Sequence, residues 1–316
     1  MNSTALPRVL ILSSAETQES VPLNDEFIRK LRESIGDEIH IEWCNYHALQ
    51  IEFKTGDIKV WHIPSGLELR EFDFVYYKSF FRYSELAGVI ATYLDATNTS
   101  YVSSELRNHI PLTKLSQLSR LALANLPIAQ TLFMLHEQWK LNYSRVVELI
   151  GSPFIFKSTD GSGGDENFLI HSEQAFYDAL DKFPDLQFIA QKYIPNDSDL
   201  RVLIVGDEIK LVIKRQRASD KTHLNNTSQG ADAIIVPLSE LSLKDREIAL
   251  RSAQIMQREI AGVDLLFELK TNDPYILEVN ASPQIASGAF TDEKLEIYRD
   301  YFVDQAKKSH LKKARR

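Results

Sequence analysis

The chain has 316 residues and a formal net charge of -8. That length exceeds one ordinary domain, and the acidic balance argues against a general nucleic-acid binder. Cys44 is the lone cysteine, which excludes an internal disulfide and a cysteine metal site; no apolar run approaches the roughly 20 residues of a membrane span, and the N-terminus lacks a signal-peptide core, so a reducing cytoplasm is expected.

Arg8 to Ser13 reads as a buried first strand. Leu23, Phe27, Leu31 and Ile35 recur at helical spacing and predict a helix over 22–35. A second strand follows at Ile39–Trp43, then a hairpin of Ile51–Phe53 and Ile58–Ile63 turning at Thr55-Gly56-Asp57. Phe72–Tyr77 is a further strand, Ser84–Asp95 a helix, and Tyr101–Ser103 short and extended. This alternation predicts an α/β unit over residues 1–108. Next come a helix over Pro111–Ala124, an extended stretch from Pro127 to Phe133, and a helix over His136–Leu149. Strands are expected at Pro153–Lys157, Asn167–Ile170 and Phe188–Ile194, with a helix at Glu173–Phe183; together these make a middle unit over 109–195. The last unit, 196–316, holds a hairpin of Leu200–Val205 and Glu208–Lys214, a polar loop over 215–233, and a helix over Leu243–Ile260. A second hairpin and a closing helix over Tyr298–Lys308 follow. The basic run from Lys307 to Arg316 reads first as a frayed, solvated end and second as an arm for an acidic partner.

The second hairpin carries the chemistry. Val263–Phe267 and Tyr275–Asn280 are apolar runs joined by a turn rich in turn formers. Centred on Asn272, an ideal hairpin sets Asp264 opposite Asn280 and Leu266 opposite Glu278. Glu278 and Asn280 then share a face with Asp264 across the ladder. Oxygen side chains on an apolar hairpin invite a cation, and a hard set with one amide suits Mg2+ holding substrate phosphates. A solvated strand face with Asp264 as a cap is the plain alternative.

Other pieces are ambiguous alone. The loop Asp160-Gly161-Ser162-Gly163-Gly164 could lay backbone N–H groups over phosphates or be a flexible turn. Lys157 at a strand end and Lys114 on a helix could meet phosphate or face water. Gln191-Lys192-Tyr193-Ile194 could end a strand or offer its backbone to a flat heterocycle. Asp199 and Arg201 alternate with Leu200 and Val202 and so share a face, and an ideal hairpin turned at Gly206-Asp207 sets Lys214 opposite Asp199. That face is either a salt-bridged surface or, with Arg215 and Arg217, a basic cluster for phosphate or carboxylate. Asn226 and Gly230 lie in a polar loop.

Taken in order, these segments over roughly 108–285 resemble the ATP-grasp superfamily, and within it the RimK-like and glutathione-synthetase-like ligases. Asp264 with Glu278-Val279-Asn280 and Ala281-Ser282-Pro283 is the most specific marker, followed by Asp199-Leu200-Arg201 and its basic strand partner. The resemblance implies an ATP-grasp α/β (α+β) fold behind an N-terminal α/β pre-ATP-grasp domain. It implies ATP with Mg2+ or Mn2+, the metal on Asp264, Glu278 and Asn280. Lys114 and Lys157 resemble the family's phosphate-contacting lysines, and Gly161, Ser162, Gly163 and Gly164 its phosphate-covering loop. Gln191, Lys192, Tyr193 and Ile194 correspond to the adenine segment, and Asp199 to the ribose-contacting acid. Arg215 resembles the reactive-centre arginine, which a single bulge would bring opposite Asp199 in place of Lys214. Arg201, Arg215 and Lys157 are the implied catalytic cations, and Asn226 and Gly230 line the substrate loop. The implied reaction joins a carboxylate to an amine through an acyl phosphate, releasing ADP and phosphate. The partners are then a carboxylate substrate and an amine on an amino acid, peptide or protein tail, without nucleic acid or membrane and with homo-oligomerisation open. Two alternatives stand beside it: a peptide macrocyclase or tailoring ligase, and a non-catalytic nucleotide-binding regulator.

Overall fold

The computed structural model of the chain describes residues 5–14, 17–18, 20–108, 113–159, 166–217 and 232–315. The first strand, β1 (Arg8–Ser13), is apolar from Val9 to Leu12 and buried on both faces there, as a central parallel strand requires. It is followed by α1 (Ser20–Ile35), β2 (His40–Asn45), the strands β3 (Leu49–Lys54), β4 (Asp57–His62) and β5 (Leu67–Glu68), then β6 (Phe74–Tyr77), α2 (Ser84–Ala96) and β7 (Ser100–Val102). β1, β2, β6 and β7 form a parallel sheet in the order β2-β1-β6-β7, while β3, β4 and β5 form a small antiparallel one. α1 buries Phe27, Ile28, Leu31 and Ile35; the expected Leu23 is instead exposed, because the packed stripe is rotated toward Asn24 and Ile28.

The next group comprises α3 (Lys114–Leu123), β8 (Thr131–Phe133), α4 (His136–Trp139), α5 (Tyr143–Ile150), β9 (Phe154–Ser158), β10 (Asn167–Ile170), α6 (Glu173–Lys182) and β11 (Phe188–Lys192). Thr113 caps α3 by accepting from the Ser116 N–H, so the helix begins later than its sequence pattern suggests. The single helix expected over His136–Leu149 is two, broken where the Asn142 side chain donates to the Gln138 carbonyl oxygen at 2.7 Å. The sheet order is β10-β9-β11-β8. Its core is aromatic, with Phe156 stacked on Phe188 at 4.5 Å and Trp139 edge-on to Phe156 at 5.3 Å.

The last group is β12 (Ser198–Val205), β13 (Glu208–Gln216), β14 (Asp232–Ile235), α7 (Leu243–Met256), β15 (Ile260–Phe267), β16 (Pro274–Asn280) and α8 (Thr291–Ala314). These strands form one antiparallel sheet, β14-β13-β12-β15-β16. β14 begins within the stretch read as polar loop and runs past its end; its Ile234 and Ile235 stay exposed, so no apolar face announces it. α7 stops at Met256, with Gln257 in the left-handed region at φ 56, and Ile260 opens β15 rather than closing the helix. One sheet face packs Val202, Ile204, Val263 and Ile276 against α7. The other presents Leu203, Val205 and Ile260 to α8 and the parallel sheet.

α8 is far longer than the predicted closing helix, and the basic run belongs to it. Lys313 donates to the Arg70 carbonyl oxygen at 2.8 Å and also to that of Phe72, and Lys307 pairs with Glu38 at 2.7 Å. Tyr298, Phe302 and Ala306 are fully buried against β1 and β6. The run is therefore docked helix and not a frayed end, because its lysines reach backbone carbonyls and Glu38 of the parallel-sheet unit and Ser309 is buried against it. Among the described residues no helix is long and apolar enough to cross a membrane.

Candidate active site

The five-stranded sheet brings the charged residues to one face. Asp199 lies opposite Arg215, Arg201 opposite Asp264, Asp264 opposite Glu278, and Gly262 opposite Asn280. Both ideal-hairpin registers are thus corrected. Between β12 and β13 the pairing passes from Leu203↔Leu211 to Ile204↔Ile209, leaving Lys210 as the extra residue. Between β15 and β16 it passes from Asp264↔Glu278 to Leu265↔Ile276, leaving Leu277 as the extra one. Each bulge reverses the facing of everything beyond it. The first exchanges Lys214 for Arg215; the second sets the two carboxylates side by side.

The charges form an alternating chain. Arg215 Nε and Nη2 donate to the two Asp199 oxygens at 2.6 and 2.7 Å, and Arg215 Nη2 lies 3.2 Å from Asp264 Oδ2. Arg201 Nη2 donates to Asp264 Oδ2 at 2.9 Å, with Nε bonded to Oδ1. Asp199, Arg215 and Asp264 are buried. Burial works to raise the Asp264 carboxyl, but Arg201 and then Arg215 outweigh it and hold it below the usual carboxylate range. For Asp199 burial wins over Arg215 and the carboxyl moves upward. Glu278 has no hydrogen bond or ion pair to a described residue. Asn280 Nδ2 donates to the Gly262 carbonyl oxygen at 3.3 Å, leaving Oδ1 as its available acceptor.

These residues fit a divalent cation. Two carboxylates at directly opposed ladder positions, with Cα atoms roughly 5 Å apart, and one amide oxygen make a hard donor set. Among the described residues no three His, Cys, Asp or Glu side chains gather as a closed metal cage. An incomplete set is what Mg2+ takes when phosphate oxygens and water complete its shell.

The middle sheet supplies further cations. Lys157 Nζ donates to Gln191 Oε1 at 3.1 Å, and Gln191 Nε2 in turn donates to Thr131 Oγ1 at 2.9 Å. Burial pushes the Lys157 ammonium down to about 8, with the Glu278 charge pulling it upward. Lys114 Nζ donates to the Thr159 carbonyl oxygen at 3.3 Å, at the entrance to the glycine-rich loop. The Lys192 side chain is exposed and its N–H is taken by the Gln130 carbonyl oxygen at 2.8 Å. Ile194 is buried in a small apolar cluster with Ala129 and Leu266. Gly161, Ser162, Gly163, Gly164, Asn226 and Gly230 lie outside the described residues. A separate cavity of about 440 Å³, lined by Pro127, Lys244, Arg251 and Tyr275 among others, contains none of the sequence-predicted residues.

Sequence reading passed over three supporting residues. A Cβ at Gly262 would come within 3.1 Å of both Arg201 Cδ and Pro283 Cβ, so the missing side chain makes room for the arginine. A glycine inside a buried strand was the available signal. Gln117 and Arg258 bind the Val279 backbone from outside the sheet, a contact between distant segments that no local pattern announces.

Comparison with known proteins agrees with this geometry. The RimK-like ATP-grasp domain family matches residues 113–298. Ribosomal protein bS6--L-glutamate ligase of Escherichia fergusonii is 34% identical over 145 residues, 44% of this chain and 46% of that protein. A probable alpha-L-glutamate ligase of Enterobacter sp. is 36% identical over 137 residues, 42% of this chain and 44% of that protein. The chain thus spans less than half the length of these curated relatives. Among solved structures, the ATP-grasp ligase PsnB complexed with a phosphomimetic variant of its minimal precursor, Mg and ADP superposes with a TM-score of 0.69 at 14% identity, covering 94% of this chain and 98% of that one. D-alanine--D-alanine ligase from Bacillus anthracis complexed with ATP gives 0.68 at 15% identity, covering 97% and 98%. The family match over more than half the chain, on a fold shared nearly end to end with ATP-grasp ligases, means that this chain belongs to the RimK-like ATP-grasp family.

Proposed function

We propose that the protein is an ATP-dependent carboxylate–amine ligase. The observation that carries the reading is the alternating Asp199–Arg215–Asp264–Arg201 chain on the same sheet face as Glu278 and Asn280. Asp264, Glu278 and the Asn280 oxygen would hold Mg2+, which neutralises ATP phosphate charge when bound. Lys114 and Lys157 would meet phosphate oxygens, with the Gln191 hydrogen bond holding the Lys157 ammonium. Gln191 to Ile194 would take the adenine largely by backbone, and Asp199 the ribose. The glycine-rich loop from Gly161 to Gly164, with Ser162, would cover the phosphates.

In this reading a substrate carboxylate oxygen attacks the γ-phosphorus of ATP, giving an acyl phosphate and ADP. An amine then attacks the acyl carbon, the C–O bond to phosphate breaks, and the amine loses a proton as the amide forms. Arg201 and Arg215 neutralise the charge that builds on the transferring group and on the tetrahedral oxygen. Their pairing with Asp264 and Asp199 keeps both guanidiniums in place before substrate arrives, so little reorganisation is needed at the reaction.

A peptide or protein as one partner is supported by a relative named for ribosomal protein bS6 and by a structural neighbour solved with a precursor peptide. A non-catalytic regulator is disfavoured by the complete Asp264, Glu278 and Asn280 set. Incubating the protein with Mg-ATP and panels of amino acids and peptides tests the reading. ADP and phosphate, with an amide product by mass spectrometry, are expected; AMP and pyrophosphate would rule out the acyl-phosphate route.

A further inference from the structure

Three polar side chains of the middle sheet share one face. Thr131 of β8 lies directly opposite Gln191 of β11, and Lys157 of β9 lies opposite Ile189, two residues before Gln191. Strand alternation therefore puts Lys157, Gln191 and Thr131 on one side, while Phe156 and Ala190 point to the other, into the aromatic core. The polar three form a line of hydrogen bonds. Lys157 Nζ donates to Gln191 Oε1 at 3.1 Å, Gln191 Nε2 donates to Thr131 Oγ1 at 2.9 Å, and Thr131 Oγ1 donates to the Ala129 carbonyl oxygen at 2.8 Å. Gln191 is buried, and its Oε1 is the hydrogen-bond acceptor that the Lys157 ammonium has among the described residues.

The direction of this line is set at its far end. A carbonyl oxygen only accepts, so the single proton of the Thr131 hydroxyl is committed to Ala129. What Thr131 then offers Gln191 is a lone pair, which an amide NH2 can meet and an amide oxygen cannot. The two orientations of the Gln191 amide have nearly the same shape, and Thr131 decides between them. The NH2 turns to β8 and Oε1 turns to Lys157. A reversed amide would set oxygen against oxygen at Thr131 and an NH2 against the ammonium, leaving a buried charge without its acceptor. The plain reading of Thr131 is a strand former whose hydroxyl is satisfied two positions back along its own chain. That accounts for the bond to Ala129 but not for the one from Gln191. Ala129 is itself buried with Ile194 and Leu266, so the line is anchored on packed main chain and not on solvent.

We propose that Thr131 is a positioning residue, which by orienting the Gln191 amide presents an acceptor to Lys157 and so holds that ammonium for a phosphate of ATP. This rests on the reading of Lys157 as a phosphate contact, and the test separates the two. Calorimetric titration of the full-length protein, with no carboxylate or amine substrate present, uses Mg-ATP and adenosine, which has no phosphate. Thr131→Val keeps the shape and removes the hydroxyl. It should weaken Mg-ATP by about tenfold, the scale of one hydrogen bond to a charged group, and leave adenosine unchanged. Thr131→Ser restores the hydroxyl and should return Mg-ATP binding close to the wild type. Lys157→Met should weaken Mg-ATP at least as much as Thr131→Val. Adding Thr131→Val to Lys157→Met should then cost nothing further, since both act on one contact. Adenosine weakened along with Mg-ATP in Thr131→Val would mark a merely structural residue and overturn the proposal. So would a Thr131→Val effect that persists in full beside Lys157→Met, or one that Thr131→Ser shares. If Lys157→Met weakens Mg-ATP and Thr131→Val does not, the positioning role alone fails. If Lys157→Met binds Mg-ATP as the wild type does, the phosphate reading of Lys157 fails, and the positioning role with it.

Discussion

Arg258 donates a hydrogen bond to the carbonyl oxygen of Val279, the residue between Glu278 and Asn280. The Val279 N–H donates to Gln117 Oε1 at 3.1 Å. β16 is an edge strand, and at Val279 both of its outward backbone groups are satisfied by side chains. Arg258 is itself fixed by Glu105 at 2.7 Å, both side chains fully buried. The main chain carrying the two oxygen ligands is thereby held from three distant segments.

Removing Arg258 leaves Glu105 charged and unpaired in the core. Arg258→Met should destabilise the protein by about 3–5 kcal/mol, the range for breaking a buried pair. Replacing Glu105 by Leu in the same chain should recover much of that loss. Urea unfolding of the single and double variants measures the coupling; additive effects would mean that the two side chains act independently.

Glu278→Ala should lower Mg-ATP turnover by about a hundredfold or more, the scale of losing one positioned electrostatic group. The fold should persist, because Glu278 makes no ion pair with a described residue. Glu278→Gln keeps the shape and removes the charge, and should fail nearly as badly if charge is what matters. Steady-state ADP release, with circular dichroism as the folding control, decides this.

Arg215 stands between two buried carboxylates. Arg215→Met strands Asp199 and leaves Asp264 to Arg201 alone, and should cost about 3–5 kcal/mol of stability along with activity. Arg215→Lys keeps the charge but cannot reproduce the two-pronged contact with Asp199. It should fold while losing most turnover. A lysine variant with wild-type kcat would remove Arg215 from the chemistry.

If the intermediate is an acyl phosphate, hydroxylamine should intercept it as a hydroxamate when the acceptor amine is omitted. Adding the acceptor should suppress that product by competing for the same carbon. A stable phosphorylated product that accumulates with acceptor present would mark the protein as a kinase on this fold.

Much of this was legible in the sequence. The apolar run of β1, the turn-rich link between β15 and β16, and the oxygen pair Glu278 and Asn280 are local patterns, and strand periodicity alone puts Asp199 and Arg201 on one face. The motif resemblance supplied the family and the choice of Arg215. Register was not local. One extra residue at Lys210 and one at Leu277 decide that Arg215 and not Lys214 meets Asp199, and that Glu278 and not Asn280 meets Asp264. The basic run became docked helix because Phe302 and Ala306 just before it pack on a parallel sheet whose strands lie more than 200 positions earlier in the chain, and its lysines then find backbone carbonyls and Glu38 there.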